Sequence, residues 1–242
     1  MLFNALVVIA AIVAAGIASV AGFGIGSILT PLLALKLGTK LAVAVVSVPH
    51  LIATLLRFLL LREHLNKHVF LTFGIASAVG GLAGALLHTR FGSAVLSYVL
   101  GALLVFAGVM GISGLAARMR FHGIGAWIAG ILSGVFGGLV GNQGGIRSAA
   151  MLGLEVPKDA FVATATAIAL LVDGARMPVY GVTQAPQILR AWPLLVLATL
   201  GVIIGTVLGQ PVLKKIPELL FRRVVSAIIL ALGVTLLLHP GG

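Results

Sequence analysis

The stretch GNQGGIRSAAML, residues 141–152, separates two long apolar runs with three glycines, an Asn-Gln pair and Arg147. A counterpart, GFGIGSILTPLL at residues 22–33, carries glycines at 22, 24 and 26 and Pro31. Glycine adopts backbone angles that other residues resist, and proline removes a helical hydrogen bond. Each stretch therefore reads as a break in a helix. In lipid, an opened helix leaves N–H and C=O groups unpaired at high cost unless protein or a water-filled cavity takes them. Two facing breaks would present helix N-termini with free N–H groups and positive dipole ends, which suits an anion. Gly24, Gly26 and Gly144 would supply that backbone. Ser27, Thr30, Asn142, Gln143 and Ser148 add neutral hydrogen-bond partners, and Arg147 adds a full positive charge.

The rest of the chain explains why lipid is the right solvent to consider. Of 242 residues, 60% are hydrophobic and 9% charged, with a mean hydropathy of +1.23. No soluble domain of this length could cover so much apolar side chain. Windows of about 20 apolar residues, enough to cross a bilayer core of about 30 Å, recur along the sequence. Barrel-type alternation is absent, so helices carry the spans. The fold class is all-α, a polytopic helical membrane protein of the cell (inner) membrane. Apolar segments fall at 2–20, 24–35, 41–61, 69–88, 94–116, 124–140, 144–154, 160–181, 188–209 and 218–238. The first resembles a signal peptide in its small residues Ala18, Ser19 and Ala21, but no base precedes Lys36, so it reads as a span.

The net charge of +11, from 16 Lys/Arg against 5 acids, would suggest nucleic acid in a soluble chain. Here the bases lie in short loops, where they set topology, and no nucleic-acid partner is expected. With no cysteine, disulfides, thiolate catalysis and Cys-metal sites are excluded. His64, His68, His88, His122 and His239 sit at loop edges without an acidic cluster, so no metal site and no cofactor are expected. No nucleophile elbow, H-E-x-x-H helix or P-loop is present. The chain thus reads as a non-enzyme.

Features recur in order. A shift of 119 residues brings Gly22 onto Gly141, Gly26 onto Gly145, Ser47 onto Thr166 and Arg57 onto Arg176. A shift of 121 brings Gly80 and Gly84 onto Gly201 and Gly205, which read as close-packing contacts between helices. Two transmembrane repeats are expected, residues 1–121 and 122–242, each with a discontinuous helix. Substrate sites of repeated transporters lie at such helices, where the halves meet. A parallel repeat would divide the loop bases evenly. An inverted one puts Arg62, Lys67, Arg118, Arg120, Lys158, Lys214, Lys215, Arg222 and Arg223 on one side, leaving Lys36, Lys40, Arg90 and Arg190 opposite. The charge rule favours inversion, with both termini outside.

Arg57 and Arg176 lie inside spans, where a charge costs upward of about 2.5 kcal/mol unless it faces a cavity or a partner. Asp173 stands one turn before Arg176. The pair is either an internal salt bridge or an anion contact whose acid tunes it or takes a proton. His50, beside Pro49, either packs within its span or protonates near neutral pH; Asp173 and His50 are the proton-coupling candidates. Arg57 either joins the site or reaches the interface.

The stretches AGFGIGSILTPLLALKLG (21–38) and SGVFGGLVGNQGGIRSAAMLGLEVPKDAFVATATA (133–167), set in this two-half layout, resemble the sulfite exporter TauE/SafE family over almost the whole chain. The chain departs from the family pattern where Ser47 is followed by Val48 and Pro49. The resemblance implies a secondary transporter of small sulfur-containing anions such as sulfite, sulfonates or other organosulfur acids, usually outward. The residues alone agree on an anion, since bases, amides and helix N-termini outnumber acids. The expected partners are a small anionic substrate and the lipid bilayer, with a homodimer left open. The competing readings are an intramembrane enzyme acting on a lipid or small anion, and a non-transporting scaffold.

Overall fold

The computed structural model describes residues 2–115, 123–152, 158–213 and 217–240. Arg118, Arg120, His122, Lys214, Lys215 and residues 153–157, with Glu155 and Pro157, lie outside the described residues. Among the described residues ten α-helices follow in order: α1 (Leu2–Ala21), α2 (Ile25–Leu37), α3 (Thr39–Leu61), α4 (Lys67–Arg90), α5 (Ser93–Ser113), α6 (Ile124–Val140), α7 (Gly144–Leu152), α8 (Lys158–Arg190), α9 (Trp192–Leu213) and α10 (Glu218–Leu238). A 3-10 turn, Arg62–His64, follows α3. Seven of them, α1, α3, α4, α5, α8, α9 and α10, are long and apolar enough to cross a membrane. The chain is an all-α polytopic membrane protein.

Local chemistry sets the ends. Asn66 caps α4 by accepting the Val69 N–H at 3.1 Å. Gly38, at φ 72°, turns the chain between α2 and α3. One boundary differs from expectation. The segment expected to end at 181 continues as α8 through Pro178 and Pro186 to Arg190, and the chain turns into α9 at Ala191. Proline costs its helical hydrogen bond, but neighbouring helices make it tolerable within a span.

Packing follows small residues. α4 lies on α6, α1 on α9 and α5 on α10, while α8 packs on α3 and α4. A methyl group at Gly80 or Gly84 would strike the carbonyls of Ile131 and Val135 in α6. One at Gly201 or Gly205 would strike Ala11 and Ile12 in α1. These glycines let backbones approach closely, which is what drives helix association where lipid tails are as apolar as leucine. The principal partner of α4 thus lies in the second half of the chain, and that of α1 likewise.

Candidate functional site

Both glycine-rich stretches are breaks. α1 ends at Ala21 and α2 begins at Ile25, with Gly22 at φ 77° and Gly24 at φ 143° between them. α6 ends at Val140 and α7 begins at Gly144, with Gly141 left-handed at φ 72°. The breaks touch. A methyl at Gly26 would overlap the Gly141 carbonyl, and one at Gly144 would overlap the Phe23 side chain. Ser27 Oγ donates to Asn142 Oδ1 across the junction at 3.3 Å.

The ladder of α2 resumes only with the Ile28 N–H on Gly24, and that of α7 with the Arg147 N–H on Gln143. The N–H groups of residues 25–27 and 144–146 precede those bonds and have no partner among the described residues. Pro31 has no N–H to give the Ser27 carbonyl one turn earlier, which loosens the first turns of α2.

The carbonyls at the other helix ends are taken by side chains. Arg147 Nη2 donates to the Gly22 carbonyl at 2.9 Å. Arg176 Nη1 donates to Gly137 at 2.8 Å, the Tyr180 hydroxyl donates to Gly138, and His88 Nδ1 donates to Leu139 at 2.7 Å. Ser133 Oγ donates to the Gln143 carbonyl at 3.0 Å. Cations at helix carboxyl ends also meet the negative end of the dipole. Neither arginine reaches the membrane surface: each is 2% exposed.

Arg147 spends only one of its nitrogens in this way. Its Nε and Nη1 are buried without a partner among the described residues, as are Arg57 Nη1, Arg176 Nε and the Gln143 side-chain oxygen. Arg57 does not snorkel; it is buried and donates from Nε to Thr166 Oγ1 at 2.9 Å. Arg176 Nη2 lies 2.7 Å from Asp173 Oδ1, and His50 Nδ1 lies 2.7 Å from Asp173 Oδ2. Among the described residues the buried charged side chains are three guanidinium groups and one carboxylate. That excess positive charge in a low-dielectric interior favours a negative ligand.

A cavity of about 10 Å³ lies at the junction, lined by Phe23, Gly24, Gly26, Ser27, His50, Gly141, Asn142, Gln143, Gly144 and Arg147. Room of that size holds about one water. His50 stands at the midpoint of α3 and Asp173 near the midpoint of α8, so the junction sits near the centre of two long spans. The other candidates surround it. Arg176 is in reach of Gly141, since a methyl there would lie 3.5 Å from Nη1. Arg57 is tied to α8, and Ser148 Oγ is buried without a partner among the described residues.

Three buried polar groups were not among the expected site residues. Tyr180 and Thr166 are buried on α8 and bond α6 and Arg57. His88, expected at a loop edge, is fully buried in α4, with its ring 5.0 Å from that of Tyr180. Tyr180 falls one turn after Arg176, and a phenol inside a span needs a partner for its hydroxyl; that signal was present.

The family model for the sulfite exporter TauE/SafE matches residues 7–236. No curated protein and no solved structure matches the chain. With broken helices, a mid-span cavity and a family match over nearly its whole length, the chain belongs to the sulfite exporter TauE/SafE family of membrane transporters.

Proposed function

We propose that the chain exports small sulfur-containing anions, such as sulfite, sulfonates or other organosulfur acids, across the cell membrane by alternating access around the junction of the two breaks. One observation carries this reading: the Arg147 guanidinium holds two unpartnered nitrogens beside a cavity lined by both breaks. In low dielectric an unpaired buried donor is costly, and a bound oxyanion relieves that cost. Arg147, Asn142, Gln143, Gly144, Gly24, Gly26, Ser27 and Ser148 contact the anion, with Arg176 and Arg57 supplying field and contacts as the breaks separate. They must separate, because the cavity holds about one water and a sulfur oxyanion is several times larger.

The motion proposed is that of two inverted repeats, 1–121 and 122–242, rocking about this junction. The helix pairings support two equivalent halves. Exchanging the halves turns α1 on α9 into α6 on α4, turns α3 on α9 into α8 on α4, and maps α5 on α10 and α3 on α8 onto themselves.

The test is transport by purified protein in liposomes. Saturable movement of radiolabelled sulfite, competed by methanesulfonate and lost in Arg147→Ala, is the expected result. Movement of neither sulfite nor a sulfonate, with the protein folded, would overturn the proposal.

A further inference from the structure

The wall of the cavity holds one group whose charge water can switch. His50 lines the cavity, and its Nδ1 lies 2.7 Å from Oδ2 of Asp173, which is not among the lining residues. A carboxylate only accepts, so Nδ1 carries the hydrogen, and the neutral ring then has a bare lone pair on Nε2. No protein group engages Nε2 among the described residues. Asp173 is fully buried and held on its other oxygen by Arg176. The neutral ring thus offers an anion a repelling lone pair at the wall where the Arg147 guanidinium attracts it.

Resting on the anion reading above, we propose that His50 is a proton site that fills together with the anion. Nε2 takes a proton from water as the anion enters, and Asp173 positions the ring by holding Nδ1–H. The protonated ring donates from Nε2 to an anion oxygen; on release, that proton returns to water on the side the cavity then faces. Proton and anion therefore move in the same direction. The charged and titratable groups around His50 are Asp173 and Arg176 from α8, Arg147 from α7 and Arg57 farther along α3. Thr54 Oγ1, at 3.4 Å from Nδ1, is the remaining polar neighbour. All three guanidinium groups around the ring hold buried nitrogens without a partner among the described residues, so a protonated ring is tolerated only with the anion present.

The test is binding of methanesulfonate, whose charge is fixed, to purified protein from about pH 5.5 to about 8.5, the range in which histidines titrate. Kd should rise with pH, approaching tenfold per unit above the titration of His50, because binding takes up one proton. Proton uptake of about one per anion should appear in weakly buffered solution. His50→Gln should bind with a flat pH profile. Asp173→Asn should keep the slope but move it along the pH axis, which loss of a merely structural contact would not do. Sulfite takes a proton itself, so with that ligand the difference between wild type and His50→Gln is the readout. A flat wild-type profile, no proton uptake, or an unchanged slope in His50→Gln would overturn the coupling. If His50→Gln does not fold, proton uptake by the wild type decides. Binding of neither anion at any pH would overturn the anion reading itself, and the coupling with it.

Discussion

Gly26, in the first turn of α2, lies flat against the carbonyl of Gly141 at the end of α6, with no room for a methyl between them. The two breaks are thus one structure, each closing the open face of the other. Helix N-termini, a guanidinium and two side-chain amides converge there because neither break is sealed by its own sequence.

Gly26→Ala should therefore force the breaks apart. Overpacking against backbone costs about 1–3 kcal/mol, which for a chain of this size lowers Tm by several degrees, on the order of 5 °C. Gly181→Ala is the control: the site is exposed, a methyl there meets nothing, and alanine favours helix. Thermal unfolding in detergent should separate the two. Equal stability would mean the junction is looser than described.

The Asp173 carboxylate bridges His50 and Arg176 across α3 and α8. Removing one partner of a buried pair leaves the other charge uncompensated, at about 3–5 kcal/mol. Asp173→Asn should lower Tm by on the order of 10 °C. The double variant with Arg176→Gln should recover part of that loss, because the stranded guanidinium is gone. Additive losses in the two single variants would show that the contact carries no coupling.

Much of this architecture could be read in the sequence, for particular reasons. The breaks were legible because glycine at φ 77° or φ 72° is nearly obligatory, and close helix packing does not call for Asn-Gln beside it. The packing glycines at 80, 84, 201 and 205 were legible from their spacing. The end of α8 was not, because Pro178 and Pro186 suggest a stop that tertiary neighbours overrule. The His50–Asp173 contact joins residues 123 apart, and no local pattern announces it. Under the 119-residue shift, Asp173 falls on Thr54, and both side chains touch His50 Nδ1; only coordinates bring that to light.

Tyr180 braces the end of α6 and is not in contact with the cavity. Tyr180→Phe removes the hydroxyl bonded to Gly138 and keeps the ring against His88. The expected cost is about 0.5–1.5 kcal/mol, a fall in Tm of a few degrees, with sulfite affinity unchanged within twofold. A large loss of affinity at unchanged stability would place the phenol in the binding site instead.

Thr166 is the one partner of Arg57 Nε. Thr166→Val keeps the shape and strands a buried charged donor, at about 1.5–3 kcal/mol. Unfolding should be easier by that amount. If the stability of Thr166→Val equals that of wild type, Arg57 has found another acceptor.

The central question is whether the guanidinium at this junction grips a negative solute. Calorimetric titration of purified protein with sulfite answers it most directly, comparing wild type with Arg147→Ala. Charge-assisted hydrogen bonds of about 1.5–3 kcal/mol predict saturable binding in the wild type, weakened by roughly 10- to 100-fold in the variant. Equal affinity in both proteins, with both folded, would contradict the account.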